Sequence, residues 1–349
     1  MIGTELHNGQ GLGNAIFCYV AVRCVAKKQN TEFAVLGKER LEGIAGKGNG
    51  LYFMNLDFGK AVSKEDFKQI YYEKEERIFL GNSKHDCKHG CYITGVDEHF
   101  MDVEDGTLLY GNMQAEEYLL PYKDDIKEWL KVKPEYEDYE FSRDNLCVIN
   151  IRGGEYTGSP ELYVDKKYWL NGMKYMKSLR SDMEFVIITD DVEAANKILP
   201  GIPAYHGTLD QDYIRVKNAK YLLLSNSSFA FFPAFTSETV KEIVAPKYWA
   251  RHNVSDGYWA SEQNIYTGWK YIDRKGKMFT AEECRRELQE YKRNSPKYRR
   301  INKKPGKFVL SLLKLESEIL YYFSYVKRIY PAIKRRLGIK QKKEIYHGI

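Results

Sequence analysis

Three polar clusters follow apolar, strand-like runs, and their residue types suit a phosphorylated ligand. Asn150-Ile151-Arg152-Gly153-Gly154-Glu155-Tyr156 ends the run 147–151. An arginine at the carboxyl end of a buried strand can hold a phosphate through paired hydrogen bonds. The two glycines leave room for a ligand, and Glu155 is a nearby acid; a purely structural Arg152–Glu155 pair is the plainer alternative. Thr189-Asp190-Asp191 closes the run 184–189, with carboxylates able to accept hydrogen bonds from a ribose or a base. Asn226-Ser227-Ser228 stands where a helix begins, and serines there commonly serve as caps. Three polar strand ends in one parallel sheet favour a shared nucleotide-diphosphate pocket over three separate coincidences.

A fourth cluster is the turn Asn8-Gly9-Gln10-Gly11-Leu12-Gly13-Asn14. Gly11 and Gly13 would let a ligand approach the backbone, and the helix behind them offers unpaired N–H groups to an anion. The pattern is neither G-x-G-x-x-G nor a Walker motif, so a plain tight turn is an equal reading. His85, Cys87, His89 and Cys91 alternate, which on a strand puts all four on one face and not around a tetrahedron, so a polar hairpin is the better reading. Asp190-Asp191 is not a D-x-D motif, and no metal is expected there.

These clusters need a scaffold of alternating strands and helices. A short strand precedes the glycine turn, and the stretch 15–28 reads as a helix, the opening of a βα unit. A helical region over 113–131 is interrupted at Pro121, and the polar segment 133–143 is a candidate linker. Strands are then expected at 147–151, 184–189 and 221–225, with helices at 166–180, 192–199, 214–219 and from 230. Runs this apolar between helices indicate a parallel sheet covered on both faces, with ligands at the carboxyl ends of its strands.

The 349 residues, 43% hydrophobic and 29% charged, exclude a mostly disordered chain and suggest two domains. The longest apolar runs, 15–22 and 229–235, fall far short of the roughly 18–20 residues of a membrane span. The N-terminus lacks the basic start and apolar core of a secretion signal, and six cysteines make no dense disulfide framework. A cytoplasmic protein is the expectation. Residues 296–349 carry fifteen Lys and Arg against three acids, whereas the remainder holds 39 basic and 45 acidic side chains. A mildly acidic body argues against nucleic acid as a partner. In the basic tail, Phe308, Leu312, Leu315, Ile319, Tyr322, Val326, Ile329 and Ile333 are spaced 4-3-4-3-4-3-4, an apolar helical stripe disturbed near Pro331. It can lie on an anionic membrane, where each basic residue contributes about 1 kcal/mol, pack on the body, or pair with a second copy.

In order along the chain, these pieces resemble the glycosyltransferase family that includes bacterial α-1,2-fucosyltransferases. That family's G-L-G-N-Q-x-F-Q-Y segment is similar to Gly11-Leu12-Gly13-Asn14-Ala15-Ile16-Phe17-Cys18-Tyr19, and its G-Y-W-Q-S-E-x-Y segment to Gly111-Asn112-Met113-Gln114-Ala115-Glu116-Glu117-Tyr118. Its H-x-R-R-G-D-Y motif resembles Asn150 to Tyr156, S-D-D resembles Thr189-Asp190-Asp191, and N-S-S-F-S-W-W resembles Asn226 to Phe232. An I-A-P-K-x-W echo stands at Val244-Ala245-Pro246-Lys247-Tyr248-Trp249. The family's His is Asn150 here, its second Arg is Gly153, its Asp is Glu155, and its paired Trp are Phe231 and Phe232.

The resemblance implies an α/β fold of two Rossmann-like domains in a GT-B-like arrangement. The expected units are an acceptor-side domain over 1–135, a nucleotide-sugar domain over 145–295 and a basic amphipathic helical tail over 296–349. It implies a GDP-sugar donor, most simply GDP-fucose, with inversion at the anomeric carbon and neither cofactor nor metal. By carry-over, Arg152 binds the diphosphate, Asp190 and Asp191 lie near the nucleoside, Ser227 and Ser228 near the phosphates, and Gly13 and Asn14 near the sugar. The base is sought among Glu155, Glu161 and Glu116, with Glu155 favoured. The acceptor would be a surface polysaccharide or lipid-linked oligosaccharide, reached at the cytoplasmic membrane face through 305–343. Rival readings are a transferase using another nucleotide sugar, a non-catalytic nucleotide-sugar binder and a membrane-recruited scaffold.

Overall fold

A computed structural model describes residues 1–45, 47, 49–74, 95–158, 162–247 and 262–294, and in the tail residues 307–309, 311–312, 315–316, 318–319 and 322–323. The cluster His85 to Cys91, Glu161, and Val326, Ile329 and Ile333 of the tail stripe lie outside the described residues.

The chain opens with β1 (Ile2–Glu5), α1 (Leu12–Gln29), β2 (Phe33–Leu36) and α2 (Glu39–Glu42), then adds β3 (Gln69–Tyr72) and β4 (Thr107–Tyr110). The four strands pair in parallel in the order β2-β1-β4-β3. Helix α1 is buried on nearly every side from Ala15 to Ala26, which is why its sequence is apolar all round and not striped. It begins a turn earlier than the apolar run suggests. Gly11 is the extended N-cap, so Leu12, Gly13 and Asn14 form the first turn, where backbone N–H groups lack intrahelical acceptors. At the other end Asn30 adopts φ 49°, a left-handed cap that returns its N–H to Ala26 and Lys27.

The region around Pro121 breaks as the sequence suggests, into α3 (Glu116–Leu119), a 3-10 turn over Leu120–Tyr122 and α4 (Lys123–Trp129). The candidate linker is a fastened strap. Glu137 accepts hydrogen bonds from Lys217 and Asn218, both at 2.8 Å.

A second sheet follows, from β5 (Leu146–Ile151), α5 (Lys166–Leu179), β6 (Glu184–Thr189), α6 (Val192–Ile198), β7 (Ala204–Tyr205), α7 (Leu209–Lys217), β8 (Tyr221–Leu224), α8 (Phe231–Thr236), β9 (Glu242–Pro246), β10 (Lys270–Ile272), β11 (Met278–Thr280) and α9 (Ala281–Asn294). Its order is β11-β10-β9-β8-β5-β6-β7, parallel except for the β10–β11 hairpin at one edge. Every residue of β5 is buried, as a central strand requires. The chain winds outward from β5 through β6 and β7, then returns to the other side of β5 as β8. That reversal opens a crevice at the carboxyl ends of β5 and β8, where ligands of such sheets bind.

One apolar cluster spans both sheets, joining α1 to α8 and reaching Cys284 and Leu288 of α9. The Phe17 ring packs on Phe231 and Phe232 at centroid distances of 4.6 and 4.7 Å. One turn earlier on α1, Gly13 lies directly against the backbone of Ser228. A Cβ placed there would sit 2.3 Å from the Ser228 carbonyl carbon and 2.6 Å from the Phe229 nitrogen. The close approach expected of Gly13 is therefore made first to another piece of backbone. The described residues between 307 and 323 have α-helical backbone, with Ser311 Oγ donating to the Lys307 carbonyl at 3.1 Å.

Because backbone cannot yield as a side chain can, Gly13→Ala is expected to cost about 1–3 kcal/mol and lower the melting temperature by several degrees. Gly158→Ala, where nothing lies within 4 Å of a new Cβ, should leave it unchanged in the same calorimetric comparison.

Candidate functional site

The crevice holds a cavity of about 670 Å³, lined from one side by Gly11, Leu12, Gly13, Asn14 and Tyr52 and from the other by the ends of β5, β6, β7 and β8. Its size suits a ligand larger than a single sugar. Gly11, Gly13, Asn14, Arg152, Glu155, Asp190, Ser227 and Ser228 all line it.

Arg152 leaves the end of β5 with its backbone N–H donated to Ser225 Oγ at 3.3 Å, which ties it to β8. Its guanidinium is held from two sides. NH1 meets Asp190 Oδ2 at 2.8 Å and NH2 donates to Glu155 Oε1 at 2.7 Å. Burial alone would ease its proton off, but the hydrogen bond to Glu155 and the charges of Asp190 and Glu155 hold its pKa above the usual value. Glu155 is held below the usual carboxylate value, chiefly by the Arg152 hydrogen bond. The arginine expected to meet a phosphate is thus also one half of the structural pair with Glu155, and it lines the cavity.

Asp190 also accepts the Gly153 N–H at 2.7 Å. Gly153 itself has no room for a side chain, since a Cβ there would lie 2.5 Å from Asp191 Cβ. That close packing accounts for glycine at the position where the resembling motif has a second arginine. Asn150 lines the cavity but uses its amide to donate to the Ile188 carbonyl at 3.2 Å, fixing β5 against β6.

Two of the expected donor contacts lie elsewhere. Asp191 does not line this cavity: it is the N-cap of α6, accepting from Ala194 at 2.9 Å. Asn226 also does not line it. It is 4% exposed, and neither polar atom of its amide finds a partner among the described residues. Ser227 lines the cavity and acts as a cap as well, accepting from Phe229 N–H at 3.3 Å. Of the base candidates, Glu116 is a structural carboxylate. It is 4% exposed, accepts from Thr267 N and Oγ1 at 2.7 Å each, and takes a further hydrogen bond from Arg285 of α9.

The sequence reading missed the fourth strand end, His206-Gly207-Thr208 with Asp212, and the cross-cavity Tyr52. Asp212 is buried, bonded to His206 Nδ1 and the Gly207 N–H at 2.9 Å each. Burial pushes its carboxyl up, opposed by those two partners. Tyr52 donates to Asp210 from the first half to α7, and burial together with that carboxylate pushes its phenol to about 12. The signal for this end was the capping box of Thr208 and Gln211, which starts α7 at Leu209 and not at 214. Strand β7 has only two residues, too few to show as a periodic run.

Asn14 is set by a relay. Gln114 Nε2 donates to Asn14 Oδ1 at 3.0 Å, and Asn264 Nδ2 donates to Gln114 Oε1 at 3.2 Å. The Asn14 amide NH₂ is then the group left to donate into the cavity. A second cavity of about 230 Å³ adjoins the first across Leu12 and Leu209, lined by His7, Gln10, Arg40 and Asn49.

A family model described as Glycosyl transferase family 11 matches residues 93–273, more than half of the chain, and the chain belongs to that family. The matched span holds Arg152, Asp190, His206, Asp212 and Ser227; the glycine turn lies outside it. An Alpha-1,2-colitosyltransferase of Escherichia coli is 25% identical over 158 residues, which are 40% of this chain and 54% of that protein. The chain therefore spans about half the length of the curated relative it matches.

At Glu116 a structural role and a chemical one have different consequences. Glu116→Ala removes the carboxylate partner of the partly buried Arg285 and the acceptor of both Thr267 hydrogen bonds, and should destabilise the protein by about 3 kcal/mol, read as a lower melting temperature. A normal melting temperature with abolished turnover would instead make Glu116 the base.

Proposed function

We propose that the chain is an inverting glycosyltransferase that moves a sugar, most simply fucose from GDP-fucose, to a hydroxyl of a glycan acceptor. The observation that carries this reading is the placement of Arg152 at the end of β5, facing the first turn of α1 across a cavity of nucleotide-sugar size. A GT-B-like pair of Rossmann-like domains, 1–135 and 145–295, closing on a donor between them is the arrangement this reading assumes. The diphosphate takes the place of Glu155 on Arg152 and accepts from N–H groups at the start of α1 and around Ser228. The nucleoside lies toward Asp190, His206 and Asp212, whose carboxylates and imidazole offer partners to the base and ribose.

The reaction is a single displacement without a metal. An acceptor hydroxyl oxygen attacks the anomeric carbon as the bond from that carbon to the diphosphate oxygen breaks, and the bonding pair leaves with the nucleotide. Arg152 and the backbone N–H groups stabilise the charge that develops on the leaving oxygen, the electrostatic effect that is usually largest in such sites. The acceptor proton passes to a carboxylate. Glu155 takes this role, because its proton affinity is low while paired to Arg152 and rises when the diphosphate displaces it. The adjoining cavity at His7, Gln10, Arg40 and Asn49 is where the acceptor would enter.

The colitosyl group in the relative's name supports a second reading of the sugar alone. The same pocket and mechanism then serve a different glycosyl group on the nucleotide.

Thermal stabilisation by GDP, UDP, dTDP and CMP tests the donor class. GDP should raise the melting temperature by several degrees. Arg152→Ala should abolish that response and reduce transfer from GDP-fucose to a glycan acceptor at least about a hundredfold, the loss of roughly 3 kcal/mol of transition-state stabilisation. Near-normal transfer by Arg152→Ala would overturn the mechanism. Binding of GDP-fucose with no release of GDP would make the protein a binder and not an enzyme.

A further inference from the structure

The described apolar residues of the tail are exposed and belong to neither apolar core cluster. Phe308, Leu312, Leu315, Ile319, Tyr322 and Phe323 are 49–76% exposed on helical backbone. At 3.6 residues per turn these six side chains fall within an arc of roughly 100°. The sequence around them is rich in the groups that favour a membrane interface: Tyr321, Tyr322, Phe323 and Tyr325 follow one another closely. Fifteen Lys and Arg against three acids over residues 296–349 supply the charge.

We propose that this segment lies along an anionic bilayer surface. Its apolar arc enters the boundary between headgroups and acyl chains, and the flanking lysines and arginines rest against lipid phosphates. Charge complementarity selects this occupant over a second copy, since pairing two tails would bring two strongly positive segments together. The exposure of the arc separates it from α9, whose Cys284 and Leu288 are buried in the core and whose Arg285 is bonded to Glu116. No described helix is long and apolar enough to cross a membrane, and an exposed apolar arc in a segment rich in lysine and arginine suits contact along the surface. This inference does not depend on the proposed donor or mechanism.

Sedimentation of the full chain with vesicles tests it, using phosphatidylcholine alone or with about one-third phosphatidylglycerol. Binding to the anionic vesicles should exceed binding to neutral ones at least about tenfold and be released near 1 M salt, where screening shortens the reach of charge to about 3 Å. Leu312→Asp/Leu315→Asp/Ile319→Asp should lose at least about tenfold in anionic binding with unchanged melting temperature and GDP response. Lys303→Glu/Lys304→Glu/Lys307→Glu should lose the anionic preference alone. Absence of binding by the wild type, or equal binding by the apolar variant, overturns the proposal. So does a fall in melting temperature in that variant without wild-type vesicle binding, which means docking on the body. A change from dimer to monomer without vesicle binding means pairing of copies and overturns it equally.

Discussion

The site exists because two backbones touch. Gly13 in the first turn of α1 rests on the carbonyl of Ser228, and Phe17 one turn later stacks on Phe231 and Phe232. This contact carries the start of α1, from the first sheet, to the carboxyl end of β8 in the second. The cavity lies between them, so its two walls are held by the same apolar cluster that forms the core. Arg285 reinforces the arrangement by returning from α9 to Glu116. A side chain at position 13 would push the walls apart before it met any ligand.

Within that frame the cavity is preorganised around one cation. A lone guanidinium facing a cleft would be costly to hold in place, and Asp190 and Glu155 meet this need before any ligand arrives. The two partners differ in how firmly they are fixed. Asp190 also accepts from the Gly153 backbone, whereas Glu155 is two-thirds exposed. In the proposed mechanism an arriving phosphate would therefore exchange with Glu155 more easily than with Asp190. This exchange would join binding to proton transfer, since a carboxylate released from Arg152 loses the hydrogen bond that holds its pKa down.

The second sheet was legible because its strands are buried on both faces and read as unbroken apolar runs; 184–189 was placed to the residue, and 147–151 lacked only its first. Arg152, Glu155, Asp190, Ser227 and Ser228 were legible for the same reason, standing at the ends of strands that could be seen. What was missed follows from short range and long range in turn. Strand β7 is too short for a period, so His206 and Asp212 went unseen. Tyr52 reaches the cavity through a tertiary contact to Asp210 that no local pattern encodes. Asp191, Asn226 and Glu116 had the right residue types for the chemistry, but packing gave Asp191 to a helix cap, Glu116 to Arg285 and Asn226 to the interior. Gly13 was legible as a close-approach glycine, though the partner it approaches is set by the fold.

The central claim is that one nucleotide diphosphate is held by both halves at once, through the start of α1 and the ends of β5, β7 and β8. Amide hydrogen exchange with and without saturating GDP reads this directly, because each segment reports its own protection. The account predicts slowed exchange in 11–14, 152–158, 206–212 and 226–229 together, with no comparable change around α5. Protection confined to one half, or absent from 152–158, would contradict it.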